Sequence, residues 1–212
     1  KVMANEKRPL GYLGGDIMSF GSNLARQYEY DKFLEAELPV DVYSPVQNKS
    51  INDKSNMTEE ENNHLAEKIT AADIERLWNS DFAVMCPEQS AIGTMCEMGC
   101  LYGWYYMAKK LLEVAESVVE NKELKTLEER QLEAFGRMVR EIGRILGKHI
   151  YAHYFDIRTN HLNEKDWRRS FSINQLLYGM ILACTDDHKL HENFDSALEA
   201  LKKDYKGDAT NE

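Results

Sequence analysis

Short apolar runs alternate along this chain with longer segments whose apolar residues recur every three to five positions. Leu10 to Gly15 (LGYLGG) is a short apolar run whose first part predicts a strand and which ends in two glycines. Ser19 to Leu38 carries Leu24, Tyr28, Phe33 and Leu34 at helical steps, and Pro39 stops it. Val40 to Tyr43 (VDVY) is the next strand candidate, and Gln47 to Asn56 reads as a polar loop. Thr58 and Glu61 have the spacing of a capping box, opening a helix to about Trp78. Asp81 to Cys86 (DFAVMC) is a third strand ended by Pro87, and Met95 to Lys110 is apolar and helical. This β-α-β-α-β-α order predicts an α/β protein with a parallel sheet wrapped by helices.

The pattern then changes. Leu111 to Gly147 is charged, lacks proline and spaces its apolar residues helically, which predicts an inserted hairpin of two helices breaking near Asn121 to Leu124. His149 to Asp156 resumes as a strand, Phe171 to Cys184 as a helix, and a tail helix covers Phe194 to Tyr205. The expected organisation is a single domain over 1–212: a core of 8–110 and 148–185, an insertion at 111–147 and a tail at 186–212.

Composition narrows the function. A formal net charge of −10 disfavours a general nucleic-acid binder, which needs a basic face. No apolar run approaches the roughly 18 residues of a membrane span, and Lys1 to Pro9 lacks the apolar stretch of a secretory signal. The expectation is a cytoplasmic chain with no membrane partner. Cys96 and Cys100 stand one helical turn apart, but no nearby Cys or His pair completes a metal set, and the histidines fall in no zinc-like spacing. Neither a metal nor a cofactor is expected.

In an open parallel sheet, ligands bind beyond the carboxyl ends of the strands. Gly14, Gly15 and Asp16 follow strand one, where two small residues allow close approach and an aspartate offers an acceptor; a plain turn fits them too. Glu97 sits about one turn into a helix among Met95, Cys96, Met98 and Cys100. Those neighbours favour burial, so its carboxylate is expected to be partly desolvated and poised as nucleophile or base, although a capping or ion-pairing role suits the position as well. Asp73, on the helix before the third strand, reads by itself as a surface residue.

Together these residues resemble the nucleoside 2-deoxyribosyltransferase family. The likeness rests on Tyr12-Leu13-Gly14-Gly15-Asp16, on Asp73 and Asp81 eight positions apart, and on the run Gly93-Thr94-Met95-Cys96-Glu97-Met98-Gly99. Ser172 to Gly179 (SINQLLYG) looks like the family's C-terminal segment that reaches a neighbouring subunit's site. The resemblance implies a flavodoxin-like open sheet and exchange of the nucleobase of a 2′-deoxynucleoside through a deoxyribosyl-glutamate ester, with retention. By that analogy Glu97 is the nucleophile, Asp73 handles the proton on the departing base, and Tyr12 orients the nucleophile. Gly14, Gly15, Asp16, Gly93 and Thr94 border the substrate, and Asn174 holds the sugar 5′-hydroxyl. Deoxynucleoside and free nucleobase would be the partners, and a homo-oligomer would complete the sites.

One position departs from the family. The aspartate it usually carries six residues before the nucleophile is Ala91 here, which leaves Ser90 or Glu88 to replace it. Two other readings fit the sequence. One is a deoxynucleoside 5′-monophosphate N-glycosidase, for which Ser19, Ser22, Asn23, Arg158, Arg168 and Arg169 could hold a phosphate. The other is a non-catalytic nucleotide-binding module.

Overall fold

A computed structural model describes residues 8–120, 127–154 and 173–206. Its centre is a five-stranded sheet, every pairing parallel, in the order β2-β1-β3-β4-β5. The strands are β1 (Leu10–Gly15), β2 (Asp41–Tyr43), β3 (Phe82–Cys86), β4 (His149–His153) and β5 (Leu190–His191). The helices are α1 (Phe20–Glu35), α2 (Lys49–Asn52), α3 (Glu59–Asn63), α4 (Leu65–Asn79), α5 (Ile92–Glu120), α6 (Glu129–Leu146), α7 (Gln175–Cys184) and α8 (Phe194–Tyr205). This is the strand order of flavodoxin-like doubly wound folds.

Strand alternation divides the core in two. Tyr12, Ala83, Met85, Ile150 and Ala152 face a layer with Leu77 of α4, Met98 and Leu101 of α5, and Leu177 and Ile181 of α7. Leu13, Phe82, Val84 and Tyr151 face Phe33 of α1 and Phe194, Leu198 and Leu201 of α8. Every residue of β3 is buried, as a parallel strand covered on both faces requires. Gly11 answers a local need for room, since a Cβ there would stand 2.1 Å from the Phe82 ring.

Four expectations meet a different outcome. The loop expected over 47–56 contains α2, whose Ile51 is buried. The helix expected from Thr58 to Trp78 divides at His64, after two asparagines that favour helix poorly, while its Thr58–Glu61 capping box forms as the spacing predicts. Gly14 and Gly15 lie inside β1 instead of turning the chain. The expected boundary at 111 falls within one unbroken helix, because α5 runs from Ile92 to Glu120, about 43 Å at the ordinary rise. The first half of the supposed insertion is therefore the far end of α5, with α6 packed against it. Asn121 to Leu124, where a break was expected, lies outside the described residues, as does the stretch of β4's expected extension beyond Tyr154. No described helix is long and apolar enough to cross a membrane.

A buried lysine ties β4 to α4. Lys148 is 7% exposed, and its Nζ donates to the carbonyl oxygens of Leu77 at 2.9 Å and Ser80, and to Ser80 Oγ at 2.9 Å. Arg144 adds a bond from Nη1 to the Trp78 carbonyl at 2.7 Å. These donors satisfy the carbonyls that the end of α4 leaves open. Replacing the ammonium by an apolar group of similar length strands those acceptors. Lys148→Met is expected to cost about 1–3 kcal/mol, measured as a lower urea midpoint; an unchanged midpoint would mean that water replaces the cap.

Candidate active site

β1, β2 and β3 end at Gly15, Tyr43 and Cys86 on the same edge of the sheet. The chain leaves β1 for one neighbour and later fills the other, so this edge is the topological switch point. A cleft of about 720 Å³ opens there. Gly15 and Asp16 form one part of its lining, Tyr43 and Asp73 another, and Ser90 with Gly93, Thr94 and Glu97 a third.

Glu97 lies in the second turn of α5 and is reached from β1. Tyr12, wholly buried, donates its hydroxyl to Glu97 Oε1 at 2.6 Å. Gly14 makes room beside the pair: a Cβ there would stand 3.1 Å from Glu97 Oε2 and 2.6 Å from the Met85 methyl. Burial pushes the Glu97 carboxyl up to about 7; the bond from Tyr12 opposes that rise, and the nearby charge of Asp73 adds to it. Burial and the two carboxylates push the Tyr12 hydroxyl well above its ordinary range, so it remains a donor.

Asp73 reaches the cleft from α4 with a partner that sequence reasoning missed. Tyr43 donates its hydroxyl to Asp73 Oδ1 at 3.0 Å, and Asn48 Nδ2 donates to the same hydroxyl at 3.1 Å. The Tyr43 ring packs 5.7 Å from the Tyr12 ring, and the Arg76 guanidinium lies 5.2 Å from its centroid. Burial raises the Asp73 carboxyl, and the Tyr43 bond restrains it. Tyr43 was detectable as the last residue of a strand candidate, the place from which a side chain reaches a switch-point cleft.

Asp16 is also engaged. Its Oδ1 accepts from the Met18 backbone N–H at 3.0 Å and its Oδ2 from the Ser22 hydroxyl at 2.8 Å, which fixes the entry into α1. Asp81 opens β3 at the opposite edge of the sheet, where its carboxylate accepts the Leu10 N–H at 2.7 Å; it anchors β1 to β3. Asn174 caps α7 by accepting from Leu176 and Leu177 at 3.0 and 3.3 Å, and it is exposed away from this cleft. Ser172, Arg158, Arg168 and Arg169 lie outside the described residues.

Of the two candidates for the missing aspartate, Ser90 lines the cleft. Glu88 turns elsewhere: its Oε1 lies 3.3 Å from Cys86 Sγ and 3.6 Å from Arg26 Nη2. Cys96 is exposed and Cys100 half-buried, both as free thiols.

No family model matches the chain. No curated protein matches it either. Among solved structures it is similar to one described as a conserved protein from Enterococcus faecalis V583, with a TM-score of 0.58 and 17% identity over 93% of this chain and 99% of that one. That likeness extends to the α/β fold.

A carboxyl raised by burial destabilises the fold once the unfolded chain ionises. Glu97's contribution is fully favourable below the ordinary carboxyl range near 4.5 and is lost as pH rises through about 7. Glu97→Gln keeps an acceptor for Tyr12 and removes the ionisation. Its stability relative to the parent chain is expected to rise by about 1–3 kcal/mol between pH 4.5 and pH 8, followed by denaturant titration at each pH. A constant difference would place the Glu97 carboxyl in its ordinary range.

Proposed function

We propose that this chain is a nucleoside 2-deoxyribosyltransferase-type glycosyltransferase acting on 2′-deoxynucleosides. The observation that carries the reading is a half-buried carboxylate, Glu97, held by Tyr12 and lining the switch-point cleft together with Asp73. A Glu97 oxygen attacks C1′ as the C1′–N bond breaks. The bonding electron pair leaves with the base, and Asp73 supplies the proton that makes the base a neutral leaving group. The product is a deoxyribosyl ester on Glu97. A nitrogen of a second base then attacks C1′ from the vacated face, its proton passes to the Asp73 carboxylate, the ester C–O bond breaks, and its electrons return to Glu97. Two inversions give net retention.

The resemblance of Tyr12 to Asp16 and of Gly93 to Gly99 to that family supports this reading, as does the geometry. Tyr12 keeps one carboxylate oxygen fixed, which lowers the reorganisation needed for attack. The absence of a 2′-hydroxyl removes an electron-withdrawing group beside the oxocarbenium-like centre. Tyr43 holds Asp73 while the leaving base takes its proton. Asn174 stands outside this cleft, so a role at the sugar requires a second copy of the chain, and we propose a homo-oligomer. The four free cysteines, Cys96 among them exposed, suit the reducing cytoplasm.

The test incubates deoxyinosine or thymidine with and without adenine and resolves the products. A new deoxynucleoside that needs the acceptor base is expected; release of free base without exchange would indicate a glycosidase, and no turnover with either would sink the proposal. Glu97→Ala should abolish exchange in a folded protein. Because attack needs an ionised Glu97 and departure of the base needs a protonated Asp73, kcat/KM is expected to pass through a maximum as pH rises, with Glu97 ionisation setting one limb. Tyr12→Phe removes the one bond that lowers the Glu97 carboxyl, so that limb should move to higher pH as the rate falls by about ten-fold or more. An unshifted limb would detach Tyr12 from the nucleophile.

A further inference from the structure

The two glycines that end β1 face opposite sides of the sheet. A Cβ on Gly14 would approach Glu97, whereas one on Gly15 would strike the Arg26 guanidinium at 1.9 Å. Arg26 opens onto a second polar cluster, buried under the other helical layer and separate from the catalytic pair. Arg26 and Glu29 come from α1, Cys86 ends β3 and His153 ends β4; all are between 2% and 8% exposed. A Glu29 oxygen, the Cys86 sulfur and a His153 ring nitrogen lie within 4.8 Å of one another.

Hydrogen bonds among these side chains leave part of the set unpaired. Arg26 Nη2 donates to Glu29 Oε1 at 2.8 Å, but its enclosed Nε and Nη1 find no hydrogen-bond acceptor among the described residues. Such donors normally find partners. The guanidinium bears on the Cys86 thiol and restrains the rise that burial imposes on it. Two carboxylates, Glu29 and Glu88, stand against that one cation. His153 Nε2 lies 3.6 Å from Glu29 Oε1.

We propose that Glu29, Cys86 and His153 bind a divalent metal ion, zinc being the ion this donor set suits. Sulfur, imidazole and carboxylate together are zinc-type donors. With Zn–S about 2.3 Å and Zn–N about 2.0 Å, tetrahedral ligand pairs stand roughly 3.3–3.6 Å apart, so the side chains draw inward by a modest rotation. Glu88 Oε1 accepts a hydrogen bond from the Cys86 thiol at 3.3 Å, beside the three donors. On binding, the Cys86 S–H bond is replaced by an S–metal bond and the proton leaves to solvent. The thiolate and two carboxylates then balance the guanidinium and the dication, and the thiolate gives Arg26 an anionic neighbour. Glu88, about a third exposed, is the way in. The ion would join α1 to the ends of β3 and β4 and hold the segment that leads from Cys86 to Ser90 on the cleft wall.

The full chain is incubated with zinc, passed through gel filtration and analysed for metal; a parallel sample is loaded with cobalt(II). About one equivalent of zinc is expected, and the cobalt form should show a thiolate-to-metal charge-transfer band with the strong visible absorption of four-coordinate cobalt. Cys86→Ser and His153→Gln should each weaken zinc binding by about 100-fold or more and abolish or alter that band, whereas Cys100→Ser should bind as the parent does. Should the buried variants not fold, Glu88→Gln tests the same site, with a weakening of about ten-fold expected. No retained zinc in the parent chain, or affinity unchanged in the folded variants, overturns the proposal. Because the readout is metal content, the result is independent of any glycosyl-transfer activity.

Discussion

The hydrogen bond from Tyr12 to Glu97 is the contact on which the arrangement of this chain turns. It joins the central strand to the long helix and brings a carboxylate into a place where burial opposes its charge. For the bond to form, Tyr12 must point into the layer shared with α5, and Gly14 must leave space beside the carboxylate. The short connection from Cys86 to Ile92 must also start α5 at the carboxyl edge of the sheet. Stability is surrendered there in return for a poised group, the usual relation between a fold and its reactive site.

The second carboxylate depends on a different set of supports. α4 is fixed at its far end by Lys148 and Arg144, and near its middle Asp73 meets Tyr43 from β2. The ring contact between Tyr12 and Tyr43 couples the two halves, so neither carboxylate is positioned by its own helix alone. The same sheet edge carries polar groups on both of its faces. Gly14 and Gly15, adjacent in sequence, open toward Glu97 on one side and Arg26 on the other, because successive strand residues alternate.

Much of the fold was legible because its signals are local. Apolar runs ended by proline or glycine marked β1 and β3, and the Thr58–Glu61 spacing marked a helix start that forms. Glu97 was legible as a carboxylate among apolar neighbours. Other features depend on partners distant in sequence. The change in polarity after Lys110 suggested a separate hairpin, yet α5 continues through it, one helix packing on α6 as well as on β1 and β3. α2 is too short for a periodic signal, and β5, with two residues, gives none. Asp81 drew notice for its spacing from Asp73, but it braces the opposite end of β3.

The sequence by itself determined the alternation of strands and helices, the parallel sheet that follows from it, and the carboxylate, Glu97, that a helix sets among apolar neighbours. Those are consequences of periodicity and of residue types within one or two turns. Only the tertiary structure decided which side chains share a site: Tyr43 with Asp73, Ser90 and not Glu88 at the cleft, and Cys86 beside His153 and Glu29. Cysteine and histidine spacing along the chain predicts no such meeting, since the residues lie on different elements. Parallel pairing aligns the ends of β3 and β4, and α1 packed across them brings in the third residue.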